Sequence, residues 1–289
     1  MTKEEARAQF TELVSRDESR LELDRAALLI AAEEYPRLDV EEYLSLMDEL
    51  GEQARARDDA FADPLTRIMR LSHLLFDEFE FRGNAGNYYD ARNSFLSDVL
   101  DRRIGIPITL SVVMIEVARR IGLRLFGVGM PGHFLVKYAD NLPSNLPGNL
   151  DDEQEIFADP FHGGRIVDED RCRRMIEQMY EGRMPFHPSF LHAVTKKQIL
   201  TRMLQNLKGV YAQAKDHFKV LGVTERALLI TPDSTTEIRD RGLACFALNR
   251  FVEARADLER YLHLEPTATD VARIKELLTR LRQRQAQLN

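Results

Sequence analysis

The chain has only two cysteines, Cys172 and Cys245, among 289 residues. That excludes a disulfide framework and a cysteine-based metal pattern. No apolar run approaches the ~20 residues that span a bilayer, so no membrane segment is expected. The opening MTKEEARAQF has no apolar signal region, which argues against secretion and for a cytoplasmic protein with reduced thiols. A glycine-rich phosphate loop, zinc-ligand spacing and nucleic-acid motifs are all missing, so neither a cofactor nor a metal is expected. Excess positive charge is missing too. A formal net charge of −7 excludes general affinity for nucleic acid.

The chain is long enough for one large domain or two ordinary ones. Its charge is unevenly spread: −10 over residues 1–64, −3 over 65–186 and +6 over 187–289. The basic last third could attract an acidic partner or the chain's own acidic beginning, but a solvated helical surface is the simpler explanation.

The first hundred residues read as helices. In DVEEYLSLMDELGEQARAR, Asp39 is an N-cap with Glu42 three residues on, a capping-box spacing. Val40, Tyr43, Leu44, Met47 and Leu50 then recur at helical spacing. In DPLTRIMRLSHLLFDEFEF, Asp63 caps and Pro64 takes the first helical position. Leu65, Ile68, Met69, Leu75, Phe76 and Phe79 are its expected buried face. FRGNAGNYYDARN breaks the pattern as a polar loop able to border a site.

RIGIPITLSVVMIEVARRIGL predicts a helix opened by Pro107, ended by Gly122 and apolar almost all round. Such a helix belongs at the centre of its domain, and its N-terminal turn can stabilise a nucleophile or an anion. LRLFGVGM, HFLVKYA and EIFADP follow as strands and DEDRCRRMIEQMY as a helix, while GRMPFHP marks a domain boundary. In the last hundred residues ERALLITPDS aligns with ERYLHLEPTA, placing Pro232 and Pro266 34 residues apart. That period resembles the tetratricopeptide repeat. It predicts helix pairs at about 201–214 with 217–230 and at 235–248 with 251–264, Gly242 meeting Ala254.

Residues of about 87–165 resemble the transglutaminase-like core of the papain-like cysteine enzymes, through NSFLSDVLDRRIGIPITLSVVMIEVARRIGL, GVGMPGHFLVKY and FADPFHGG. The whole arrangement is similar to a bacterial family of transglutaminase-like proteins with C-terminal tetratricopeptides. The resemblance implies an α+β fold: a helical region at 1–86, a papain-like core at 87–186 and all-α repeats at 187–289. Active members of the superfamily carry a cysteine at a helix N-terminus, a histidine on a following strand and an aspartate on the next. The helix end and the histidine stabilise the thiolate, and the aspartate orients the imidazole.

His133 and Asp159 match the second and third positions. The place of the first reads Pro107, Ile108, Thr109, Leu110, Ser111, without a cysteine. Thr109 and Ser111 are the hydroxyl candidates for nucleophile. Each also has a structural reading, Thr109 bonding backbone at the helix start and Ser111 as a small core residue. His133 and Asp159 are equally readable as a pair tying two strands together. Asn93, Arg102, Arg103 and His162 are candidate cleft-lining residues, the first three able to bind a carboxylate or phosphate at the helix end or to form an ion-pair cluster.

The primary reading is a non-catalytic binding module that uses a degenerate cleft and a repeat surface to engage a protein or peptide partner. The alternative is an amide hydrolase or acyl transferase using His133, Asp159 and a hydroxyl. A third reading is a structural scaffold.

Overall fold

A computed structural model of the chain describes residues 1–139 and 155–288, with side chains to residue 283. The chain divides into two compact units, Met1–Met203 and Leu204–Asn289.

The first unit opens with helices α1 (Lys3–Ser15), α2 (Leu23–Ala32), α3 (Val40–Arg55) and α4 (Pro64–Ser72), the last continuing as a π-helical turn over His73–Glu78. Local chemistry sets their starts. Asp39 accepts from the N–H groups of Glu41 and Glu42, and Asp63 accepts from that of Thr66 ahead of Pro64. Of the expected face of α4 and the turn after it, Ile68, Leu75 and Phe76 are buried together with Leu71 and Leu74, whereas Leu65 and Met69 are exposed. Met69 sits about 100° around the helix from Ile68 and faces water.

Strand β1 (Arg82–Gly83), helix α5 (Leu96–Arg102) and strand β2 (Ile104–Gly105) lead into α6 (Pro107–Arg120). As predicted, α6 is central, with every residue from Pro107 to Ala118 buried. It is covered by α2, α3, α4 and α5 and by the sheet strands β3 (Phe126–Val128) and β4 (Leu135–Ala139). Each large apolar side chain it buries contributes roughly 1.5–3 kcal/mol.

The sheet is completed by β5 (Glu155–Asp159), β6 (Arg165–Val167) and β7 (Ala193–Val194), in the antiparallel order β6-β5-β4-β3-β7. Helix α7 (Glu169–Met179) follows β6 and buries Cys172 and Ile176 against Val128, Leu135 and Phe157. A boundary at residue 187 does not divide the structure, because β7 lies beyond it and pairs with β3. The division between units falls instead inside helix α8 (Lys196–Gln213), and residue 86 lies within the first unit.

The second unit contains the end of α8 with α9 (His217–Ile230), α10 (Thr235–Ala247), α11 (Phe251–Leu264) and α12 (Val271–Leu288). The 34-residue register therefore placed α9, α10 and α11 to within a residue or so, while α8 starts earlier than expected. Ala254 is fully buried. Gly242 packs closely on α11, where a Cβ would lie 2.9 Å from Leu258 Cδ2 and 3.1 Å from Asp257 Cβ. Among the described residues no helix is long and apolar enough to cross a membrane.

Candidate functional site

The turn before β4 holds His133 in place from several directions. Gly132 has φ +72°, a left-handed conformation that glycine adopts without strain. The His133 N–H donates to the Met130 carbonyl at 3.3 Å. From α8, one Arg202 nitrogen donates to the carbonyls of Met130 at 2.8 Å and His133 at 2.9 Å. The same guanidinium lies over the Phe134 ring, 5.6 Å from its centre.

Asp159 ends β5. Because β4 and β5 are antiparallel, with Val136 opposite Ala158, that end lies beside the beginning of β4. Asp159 Oδ2 accepts from His133 Nε2 at 3.0 Å and from His162 Nδ1 at 2.7 Å. Its Oδ1 accepts from the N–H groups of Phe161 at 3.1 Å and His162 at 3.3 Å, capping the tight helical turn Pro160–His162. Burial pushes the Asp159 carboxyl up, but hydrogen bonding and charge from His133 and His162 outweigh it and hold it below the usual carboxylate range. His133 and Asp159 are 5% and 2% exposed, whereas the His162 side chain is 53% exposed. The Phe161 ring stands edge-on between them and the polar loop, 6.1 Å from His133 and 6.3 Å from Tyr88.

The pair borders a cleft of about 410 Å³ whose far wall is α7, and Arg165, Arg171, Met175, Gln178 and Met179 share the lining with His133, Asp159 and His162. Of the four expected cleft residues, His162 lines it and the other three do not. Asn93 is fully buried and organises the polar loop, accepting from Asn84 at 3.1 Å and donating to the carbonyls of Asn87 and Tyr88. Arg102 points to Asn93 and Asp90. Arg103 donates to the Phe79 carbonyl at 2.9 Å.

The two hydroxyls at the opening of α6 are engaged elsewhere. Thr109 Oγ1 accepts from the Ile106 N–H at 3.1 Å and lies 2.8 Å from the Asn93 carbonyl. Ser111 Oγ donates to the Pro107 carbonyl at 2.8 Å. Both residues are fully buried, and among the described residues neither bonds to His133. The cysteines lie on other helices, Cys172 on α7 and Cys245 on α10, both buried. Burial and the charges of Asp168 and Asp159 push the Cys172 thiol up to about 11, which leaves it unreactive near neutral pH.

Ligand atoms of His133, Asp159 and His162 all lie within 4.8 Å of one another. Two imidazoles and a carboxylate form a donor set for a transition metal. Here, however, the carboxylate already accepts four hydrogen bonds, and the two arginines on the cleft are cations. A divalent ion would have to displace both histidine bonds against that repulsion, so the residues fit a metal poorly. Arg165, Arg171 and Arg202 escaped the sequence reading. The pairing of Arg165 opposite Asp159 would have followed from recognising RIV as a strand.

Comparison with known proteins gives the family of the chain. A transglutaminase-like superfamily model matches residues 41–205, and a tetratricopeptide repeat model matches 207–279. A UPF0162 protein of Xylella fastidiosa is 36% identical over 269 residues, 92% of each chain. A UPF0162 protein of Vibrio cholerae is 30% identical over 62% of this chain and 63% of its own. The mouse F-box only protein 21 is 32% identical over 47% of this chain and 20% of its own length. No solved structure matches. With its superfamily match reaching across both the central helix and the sheet, and its similarity to the Xylella protein running nearly end to end, the chain belongs to the transglutaminase-like superfamily, beside the bacterial UPF0162 proteins.

Proposed function

We propose that the chain is a non-catalytic binding module of the cytoplasm, holding a ligand in the His133–Asp159 cleft and a protein or peptide partner on its tetratricopeptide surface. The observation that carries this reading is the engagement of Thr109 and Ser111 with backbone groups, while His133 and Asp159 remain paired beside an open cleft. A hydroxyl needs a base within hydrogen-bond reach to become a nucleophile, and neither has one among the described residues. Asp159 then fixes His133 as part of a wall, and stacked repeat helices offer the concave surface that suits an extended peptide.

Incubating the full-length protein with aryl esters and with peptide amides tests the reading, with product release followed over hours. Turnover no faster than in buffer is expected, before and after thiol alkylation. Robust turnover that disappears in His133→Ala and in Thr109→Val or Ser111→Ala, each shown to be folded, would replace the binding module with an amide hydrolase or acyl transferase.

A further inference from the structure

We infer that the cleft beside His133 is an anion-binding subsite, in which Arg165 and Arg171 receive a carboxylate or phosphate group carried by the ligand. The inference rests on the binding-module reading and adds the chemistry of what is bound. Arg165 stands directly opposite Asp159 in the β5–β6 pairing. Cross-strand partners share one face of the sheet with Cβ atoms roughly 5 Å apart, so an ion pair between the two would be the ordinary outcome. It does not form. Asp159 already accepts four hydrogen bonds, two from imidazoles and two from backbone N–H groups, and a carboxylate has about four acceptor positions. The histidines have taken the acid that would otherwise neutralise Arg165.

Arg171 reaches the same cleft from the first turn of α7. Its acidic neighbours on that helix do not neutralise it. Asp168 caps the helix by accepting the Arg171 backbone N–H, and Glu169 pairs with Arg173 at 2.9 Å. Among the described residues neither the Arg165 nor the Arg171 guanidinium has a hydrogen-bond or ion-pair partner, and no carboxylate other than Asp159 lines the cleft.

Unpaired surface arginines are ordinary. Two that converge on one concave site beside an already saturated acid leave a local excess of positive charge and a set of unused planar donors, which suit a carboxylate or phosphate. Gln178 supplies a further polar group, and Val167, Met175 and Met179 supply an apolar wall. The cleft of about 410 Å³ therefore fits an anionic group attached to a small apolar body.

Three probes separate the sources of the anion: inorganic phosphate, a short apolar peptide with a free C-terminal carboxylate, and the same peptide as its C-terminal amide. Binding to the full-length protein is followed by NMR of the arginine side-chain N–H and histidine ring signals, and by calorimetry at low and at physiological salt. The expected result is saturable binding of the carboxylate peptide, of phosphate, or of both, that perturbs Arg165, Arg171 and His162. The amide should bind at least tenfold more weakly than the free acid, and each of Arg165→Gln and Arg171→Gln should weaken binding about tenfold, one charge-assisted contact apiece. Both side chains are exposed, so the variants should keep the wild-type melting temperature, which is measured alongside.

Equal binding of acid and amide without any binding of phosphate would overturn the inference, as would anion binding unchanged in the double arginine variant. Zn²⁺ binding that is lost in His162→Ala, with no anion binding, would overturn it in favour of a metal site. Ester or amide turnover by a protein that still binds the anions would remove the non-catalytic reading while leaving this one standing. Absence of both turnover and anion binding would do the reverse.

Discussion

Asp159 and Glu116 are both buried carboxyls of the first unit, and their environments push them in opposite directions. Burial and the charge of Asp24 push Glu116 up to about 7, against the opposing pull of Arg119. Asp159, equally buried, is held low by His133 and His162. The contrast comes from the company each acid keeps. Asp159 is the one acid among two imidazoles and two backbone donors. Glu116 shares its cations with a second acid: Arg119 lies 2.7 Å from Glu116 and 3.4 Å from Asp24, and Arg120 lies 3.4 Å and 2.8 Å away. For Asp24 too, burial raises the carboxyl, but the bond and charge of Arg120 overcome it and hold it low. Two buried acids share two arginines, one of which also reaches the exposed Asp48 at 2.7 Å, and one buried acid is left near neutrality, so burial alone does not tell which carboxyl is charged.

The largest test removes Asp159. Asp159→Ala leaves buried His133 without its partner and takes the cap from the turn that follows. It should cost about 4 kcal/mol of stability in urea unfolding of the full chain. A loss below about 1 kcal/mol would mean that the histidine–aspartate cluster is not a structural centre of the first unit.

The next test uses pH. The folded value of Glu116 is raised above that of the unfolded chain, so the folded state holds an extra proton between about pH 4.5 and 7. Stability then falls as pH rises through that window. Asp24, ionised in both states there, does not offset the fall. The wild type should lose about 2 kcal/mol between pH 4.5 and 7 relative to Glu116→Gln. Asp159 has the opposite sign. Its lowered folded value contributes stability above about pH 4 that is lost on further acidification, and Asp159→Asn should lack that acid-side loss. Parallel pH curves for wild type and both variants would break the comparison.

His162→Ala sharpens the comparison from the exposed side of the cluster. Its 2.7 Å bond reaches Asp159 from a half-exposed ring, so solvent replaces it readily and the loss should be about 1 kcal/mol or less by thermal melting. A loss as large as that of Asp159→Ala would show His162 to be an equal member of the buried cluster.

The smallest expected effect lies in α8. A Cβ at Gly209 would meet nothing within 4 Å. Gly209→Ala should therefore stabilise the helix by roughly 0.5–1 kcal/mol. The same change at Gly242 should destabilise, because its Cβ would press on Leu258 at 2.9 Å. Equal effects at the two positions would show that the repeat register does not distinguish them.

The starts of α3 and α4 at Asp39 and Asp63, the burial of α6 and the 34-residue phase of α10 and α11 were legible in the sequence, because each is written within a few residues or in an exact period. The order of His133 and Asp159 was legible through the family pattern. The short strands β6 and β7 were not, since two or three residues carry too little alternation to register. The cleft's lining was misjudged for a related reason. Asn93, Arg102 and Arg103 precede the central helix in sequence, but their bonds run into the polar loop and to the Phe79 carbonyl.

Caps, periodicity and the apolar faces follow from interactions between residues a few positions apart, and a reader of the chain can evaluate them without coordinates. The site is assembled across much longer separations. His133 meets Asp159 over 26 residues, and Arg202 fastens the His133 turn from 69 residues away. Whether Arg165 finds Asp159 already saturated, or Glu116 finds its arginines shared with Asp24, depends on which side chains converge after packing. Hydrogen-bond capacity and charge are divided among whatever groups the fold brings within a few ångströms, and no local pattern in the chain records that division.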